Sequence, residues 1–442
     1  MKIAIIGAGP GGYVAAIRAA RMGADITLVE RDRLGGVCLN EGCIPTKALH
    51  RHAALLRDIR RAADFGIDIP AWNIDYARMV QRKDRVVEQL RTGVEGLLKQ
   101  SGARVVKGRA MIENEHAVRV GDELIACDAM IIATGSEAVI PPIQGAELAI
   151  TSRELLSMTV LPQSMIVIGG GVIGVEVAGI YRAFGCGVRM IEMQGQILPT
   201  MDSEAATLLT KHMKADGVEI HTGTKVESIV RDGTSLIVQA GGNPYRADCV
   251  LMAIGRRAVL PESRLELAYD GNALAVDSRL RTNCTSIYCI GDANGKYQLA
   301  HVASAEGLVA VDNILGAERE MDYKTVPSVV YSFPEIASVG IADKGVTGLS
   351  VGKFPHAACG KALAMGEPEG FAKVLTSPPY GEIVGAHVIG ADAANIIAEM
   401  ALALKLEATA EEVADTIHAH PSISEVLLEA CEAVLGRPVH IM

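Results

Sequence analysis

The sequence has no surplus of positive charge: 42 Lys and Arg stand against 52 Asp and Glu, for a net charge of −10. That balance argues against a broad basic surface for nucleic acid. No apolar run reaches the ~20 residues a membrane helix needs. The most apolar stretch, residues 165–180, is rich in glycine and carries Glu176. No secretory signal is expected, since Met1 and Lys2 lead straight into a folding motif and not into a charged region with a cleavage site. Low-complexity segments and long charged tails are absent. So is a disulfide framework: nine cysteines, an odd number, are scattered over 442 residues. Reducing, cytoplasmic surroundings are expected from that usage. What remains is an ordinary globular composition, 49% hydrophobic and 21% charged, in a chain long enough for roughly three domains.

One design occurs twice. An apolar strand from Lys2 runs into Gly7, Gly9 and Gly12, a helical run of small residues follows, and a second strand ends at Glu30. From Met165 the same order returns, with Gly169, Gly171 and Gly174, ending at Glu192. Each acidic end lies 23 positions after its first glycine. This predicts two dinucleotide-binding units of one architecture. Between them the pattern predicts a helix over 76–100 and strands over 105–127, with more strands over 217–250. From about residue 326 strand-like runs precede helical stretches over 391–404 and 425–435, which reads as a third, α+β unit.

A glycine turn that opens a helix is an anion site, because the backbone approaches a pyrophosphate and the helix amides point at it. An acidic strand end accepts hydrogen bonds from a ribose. Glu192 suits the free 2′-hydroxyl of NAD and repels the phosphate of NADP. Cys38 and Cys43 stand apart from the other cysteines, in Gly35-Gly-Val-Cys38-Leu-Asn-Glu-Gly-Cys43-Ile-Pro-Thr-Lys47. Metal binding is disfavoured, since no second Cys pair follows closely. Two inert core cysteines are the default for free thiols. A place just after a nucleotide unit, at a helix start and with Lys47 one turn on, favours redox-active thiols instead.

The cysteine motif resembles that of the pyridine nucleotide–disulfide oxidoreductases. The resemblance extends over essentially the whole chain, through Ala133-Thr-Gly-Ser136, Gly169-Gly-Gly-Val-Ile-Gly-Val-Glu176, Ala253-Ile-Gly-Arg-Arg257, Ile290-Gly-Asp292-Ala, Leu299-Ala-His301 and His418-Ala-His420-Pro-Ser-Ile-Ser-Glu425. It implies an α/β fold with two Rossmann-like units, for FAD and NAD, and a C-terminal α+β dimerisation domain. It places FAD on Gly7, Gly9, Gly12, Glu30, Lys47, Ala110, Thr134, Gly135, Ser136, Asp292, Gln298, Leu299, Ala300 and His301. It places NAD on Gly169, Gly171, Val172, Gly174, Glu176, Glu192, Val226 and Gly255. Cys38 and Cys43 become the redox disulfide, Lys47 and Glu176 a charge pair beside the flavin, and His420 with Glu425 an acid–base pair that serves the other subunit of a homodimer.

Expected boundaries are 1–145 with 265–325 for FAD, 146–264 for NAD and 326–442 for the interface. Val172, Glu192 and a C-terminus without a cysteine pair resemble the members that oxidise dihydrolipoamide on lipoyl-carrying proteins of 2-oxoacid dehydrogenase or glycine cleavage complexes. Other NAD(P)H-linked flavin disulfide reductases, and a transhydrogenase or NADH oxidase, remain alternatives. Two departures stand out: Glu41 between the cysteines, and a short segment over 341–350 where the family usually carries a longer helical insertion.

Overall fold

Parallel strands buried on both faces read as unbroken apolar runs, and each glycine turn follows such a strand. In the computed structural model, which describes residues 1–342 and 346–441, the first parallel sheet has the order Ile287–Cys289, Ala129–Ile132, Lys2–Ile6, Asp25–Glu30, Arg104–Lys107. Ile3, Ile5, Ile26, Leu28 and Ile131 pack on one face with the helices Pro10–Arg21, Tyr76–Ser101 and Ala300–Ile314. Ala4, Ile6, Val29, Met130 and Ile132 pack on the other, against Ile112, Val118 and Ile125 of an antiparallel meander.

The second sheet repeats the plan with the order Glu219–His221, Gly187–Ile191, Ser164–Ile168, Cys249–Met252, all parallel. Helices cover one face, and a three-stranded meander over 226–247 covers the other. Thus the regions 105–127 and 217–250, each read as strands of one kind, divide between a parallel sheet and a meander. Alternation alone does not reveal that division. The strand Ile287–Cys289 returns to the first sheet after the second is complete. Two antiparallel segments, Ser136–Ala138 and Arg256–Ala258, form the neck between them.

The third unit is a five-stranded antiparallel sheet over 328–390, covered by the helices Ala393–Lys405 and Glu425–Val434. The segment 341–350 lies partly outside the described residues, which omit 343–345. No helix among the described residues is long and apolar enough to cross a membrane.

Both turns need glycine for the same reasons. Gly7 and Gly169 have φ of 104° and 107°, a region that side chains disfavour. A Cβ on Gly12 would stand 1.8 Å from the Gly7 carbonyl oxygen, and one on Gly174 would stand 2.0 Å from that of Gly169. The helix therefore seats directly on its own turn. Gly174→Ala should cost about 1–3 kcal/mol through overpacking. A denaturant titration of the flavin-loaded protein checks this, and an unchanged midpoint would contradict it.

Candidate redox site

Both glycine turns open onto one cavity of about 1810 Å³. Cys38 comes to its wall from the short helix Gly36–Glu41, and Cys43 opens the helix Cys43–Arg60. Both are free thiols in this structure. The Cys38 thiol donates to Cys43 and brings it down to about 7; burial opposes this, while Lys47 and the Cys43 amide add to it. Cys38 moves up, because its hydrogen bond to Cys43 and its burial both favour the protonated thiol. Of the two, Cys43 is thus the thiol favoured as the thiolate, at the positive end of a helix.

Lys47 holds that charge in place. Its Nζ lies 2.8 and 3.0 Å from the Glu176 carboxylate oxygens and 4.3 Å from the Tyr331 ring centre. The backbone amide of Tyr331 donates to Glu176 at 3.0 Å. Glu176 is only 5% exposed, and a carboxylate so placed needs such partners. Glu41 carries a further negative charge between the cysteines, and Arg153 meets it at 3.1 Å.

The two dinucleotide cradles have matching donor sets. Glu30 accepts from the amides of Ala8 and Asp32, both at 2.7 Å. Glu192 accepts from Gly170 at 2.5 Å and Gln194 at 2.6 Å. Among the described residues nothing stands within 4 Å of where a Cβ on Gly9 or Gly171 would be, so both turns face open space. An open glycine turn at a helix N-terminus with a carboxylate beside it fits a dinucleotide. Thr134, Gly135, Ser136, Asp292 and residues 298–301 line the first side, and Val172, Val226 and Gly255 line the second. Asp292 is hydrogen-bonded by Ser136; burial raises its carboxyl, against the pull of Ser136 and Arg256. Gly12 and Gly174 lie beneath the turns, and Ala110 is buried in its strand; none of these three lines the cavity.

Three residues that the sequence left without a role belong to the site. Arg256 donates to the Ser136 hydroxyl at 2.8 Å and to its carbonyl at 2.7 Å. Glu306 is fully buried, and accepts from the Gly291 amide and the Tyr323 hydroxyl, each at 2.5 Å. It thereby holds the turn that presents Asp292. Tyr331 is the third. A charged residue inside an apolar helical run was the only available signal for Glu306.

His420 and Glu425 do meet, with Nδ1 and Oε1 2.9 Å apart. Burial pushes the Glu425 carboxyl up, but the Ser422 amide and His420 outweigh it and bring it below the usual range. Yet the His420 side chain is 78% exposed and does not line the cavity that holds both cysteines. Within one chain the acid–base pair and the dithiol are separate. His418 is buried against Glu399 at 2.7 Å, as a structural residue would be.

Two dinucleotide cradles opening onto one dithiol define a pyridine-nucleotide-linked thiol oxidoreductase. The chain belongs to the pyridine nucleotide-disulphide oxidoreductase family, whose description it matches over residues 1–307, with the dimerisation domain of that family over 326–431. As a member it uses FAD and NAD(H) and forms a homodimer. It is 40% identical to dihydrolipoyl dehydrogenase of Chlamydia muridarum (99% of this chain, 97% of that one). It is 38% identical to dihydrolipoyl dehydrogenase of Bacillus subtilis, over 100% of both chains. Its fold is similar to the crystal structure of LpdA from Mycobacterium tuberculosis, with TM-score 0.90 at 27% identity over 98% of this chain and 99% of that one. It is also similar to RclA from Escherichia coli, an HOCl-induced flavoprotein disulfide reductase, with TM-score 0.88 at 28% identity over 97% and 98%.

Lys47→Gln should raise the Cys43 thiol from about 7 toward its ordinary value of 9.0. The readout is the pH titration of thiolate absorbance in the anaerobically reduced protein. A midpoint that does not move would remove Lys47 from this role.

Proposed function

We propose that this protein oxidises dihydrolipoamide borne on lipoyl-carrying proteins and passes the electrons to NAD+. The observation that carries the reading is the Cys38–Cys43 dithiol beside the Lys47–Glu176 pair, in the cavity that both glycine turns share. Full-length identity near 40% to dihydrolipoyl dehydrogenases supports this substrate. The likeness to a flavoprotein disulfide reductase at 28% supports the same chemistry on a different disulfide, and substrate tests separate the two.

The chain's own residues account for the thiol half-reaction. His420 of a second copy takes a proton from one substrate thiol on the nitrogen opposite the Glu425 contact. Glu425 fixes that tautomer and stabilises the charged ring. The substrate thiolate attacks Cys38 of the disulfide. The Cys38–Cys43 bond breaks, and Cys43 leaves as the thiolate that Lys47 and the helix N-terminus favour. The second substrate sulfur then displaces Cys38, which takes up a proton, and the substrate leaves as a cyclic disulfide. FAD, held by Gly7, Gly9 and Glu30, would supply the acceptor for the electron pair on the dithiol, and Gly169, Gly171 and Glu192 would hold NAD+ as the final acceptor. Glu192 selects NAD+ by repelling a 2′-phosphate. Reducing, cytoplasmic surroundings suit a chain whose other seven cysteines are free thiols, six of them buried.

The flavin-loaded protein should form NADH from dihydrolipoamide and NAD+. A yellow, folded protein that forms none contradicts the reading. Cys43→Ser should abolish that turnover with FAD retained. His420→Gln should lower it by about 10²–10⁴-fold, while NADH-to-dye activity survives. Equal loss of both activities would make His420 structural.

A further inference from the structure

A second cavity, about 450 Å³, lies at the far end of the helices that meet at the dithiol. Arg57, Arg60, Arg61 and Arg182 line it, with Asp216 as its only carboxylate among the described residues and Phe333 as its aromatic wall. In a chain of net charge −10 this is an exception. Capping accounts for part of it. Arg60 donates to the Ala183 carbonyl at 2.6 Å, and Arg182 to those of Asp216 and Cys186 at 2.7 and 3.4 Å. Arg57 pairs with Asp216, and Arg61 pairs with Glu367 at 3.0 Å. Arg60 and Arg182 therefore have no carboxylate partner among the described residues. Three helices, Cys43–Arg60, Val172–Ala183 and Ser203–Ala215, end here and offset them by about half a charge each, so roughly half a positive charge is left over. Nε and Nη1 of Arg60 and Nη2 of Arg57 have no protein acceptor among the described residues. Guanidinium forks converging from two helices suit a tetrahedral oxyanion. The volume falls within the range of ligand pockets, about 300–1,000 Å³, which leaves room beyond a phosphate for a small organic body against Phe333, Val175 and Met213.

The same three segments line both cavities. The helix Cys43–Arg60 brings Cys43 and Lys47 to one and Arg57 and Arg60 to the other. The helix Val172–Ala183 brings Glu176 to one and Arg182 to the other. In the segment 331–333, Tyr331 holds Glu176 and Lys47, while Phe333 stacks on His50 at 4.4 Å and lies 4.7 Å beneath the Arg57 guanidinium. An anion that draws Arg57 away from Phe333 acts on a segment that also holds the partners of Cys43.

We propose that this arginine-lined cavity is a regulatory site for a small phosphate monoester, and that its occupancy is read at the dithiol through residues 331–333. The chain's single tryptophan reports on it directly, because the Arg60 guanidinium lies 5.5 Å from the Trp72 ring centre.

The test titrates the flavin-loaded protein, saturated with NAD+ at constant ionic strength, with inorganic phosphate and then glycerol 3-phosphate. The expected result is a saturable change in Trp72 emission, weakened at least about tenfold in Arg57→Gln/Arg60→Gln. Arg60→Gln alone, which loses one carbonyl contact, serves if the double variant misfolds. Dihydrolipoamide turnover should shift by about fivefold or more on saturation, the lower end of ordinary allosteric coupling, and should not shift in the variant. No saturable emission change, or the same titration in the variants, would overturn the site. Saturable binding with unchanged turnover would overturn its regulatory role. The turnover arm rests on the dihydrolipoamide reading and the emission arm does not, so failures of the two are distinguishable.

Discussion

The Lys47–Glu176 pair is the constraint around which the rest is arranged. Burying the Glu176 carboxylate without a partner would cost several kcal/mol. Its partners come from distant parts of the chain: the Lys47 ammonium at 2.8 Å and the Tyr331 amide at 3.0 Å. Satisfying that one carboxylate draws the helix after the cysteines, the helix after the second glycine turn and the first strands of the third unit to a single point. The cation that satisfies it also favours the Cys43 thiolate. Holding the units together and activating the thiol are therefore the work of the same ammonium group.

Around that point the repeated unit does one job twice. Gly7, Gly9, Gly12 and Glu30 recur 162 positions on as Gly169, Gly171, Gly174 and Glu192. The hydrogen bonds recur with them, since each carboxylate accepts from the amide just after its first glycine. Each carboxylate thus braces the glycine turn beside it. The two cradles share one cavity with the dithiol, which suits passage of an electron pair from one carrier to the next.

Local chemistry was legible in the sequence. Glycines at fixed offsets, acidic strand ends and the Cys38–Cys43 spacing each reflect contacts made within a few dozen residues. Family resemblance supplied the long-range pairs Lys47–Glu176 and His420–Glu425, which spacing alone does not dictate. What stayed hidden depends on chain segments that meet only after folding. Arg256 matters because its neck strand crosses that of Ser136, and Tyr331 because its backbone, not its side-chain type, reaches Glu176. Glu306 acquires its role only where the Gly291 amide and the Tyr323 hydroxyl close over it. The meanders were read as more strand because a period of two does not say which sheet a strand joins.

The geometry leaves the dithiol in the cavity of one chain and the His420–Glu425 pair on its surface, so the proposed reaction needs two copies for a complete site. Mixing subunits tests it most directly. Cys43→Ser and His420→Gln proteins, each nearly inactive alone, are unfolded together and reassembled, and dihydrolipoamide-dependent NADH formation is measured. A heterodimer then carries one intact and one doubly defective site, so random reassembly should restore about a quarter of wild-type activity. A reassembled mixture that stays as inactive as its parents, beside active wild-type protein treated in the same way, would contradict a site shared between subunits.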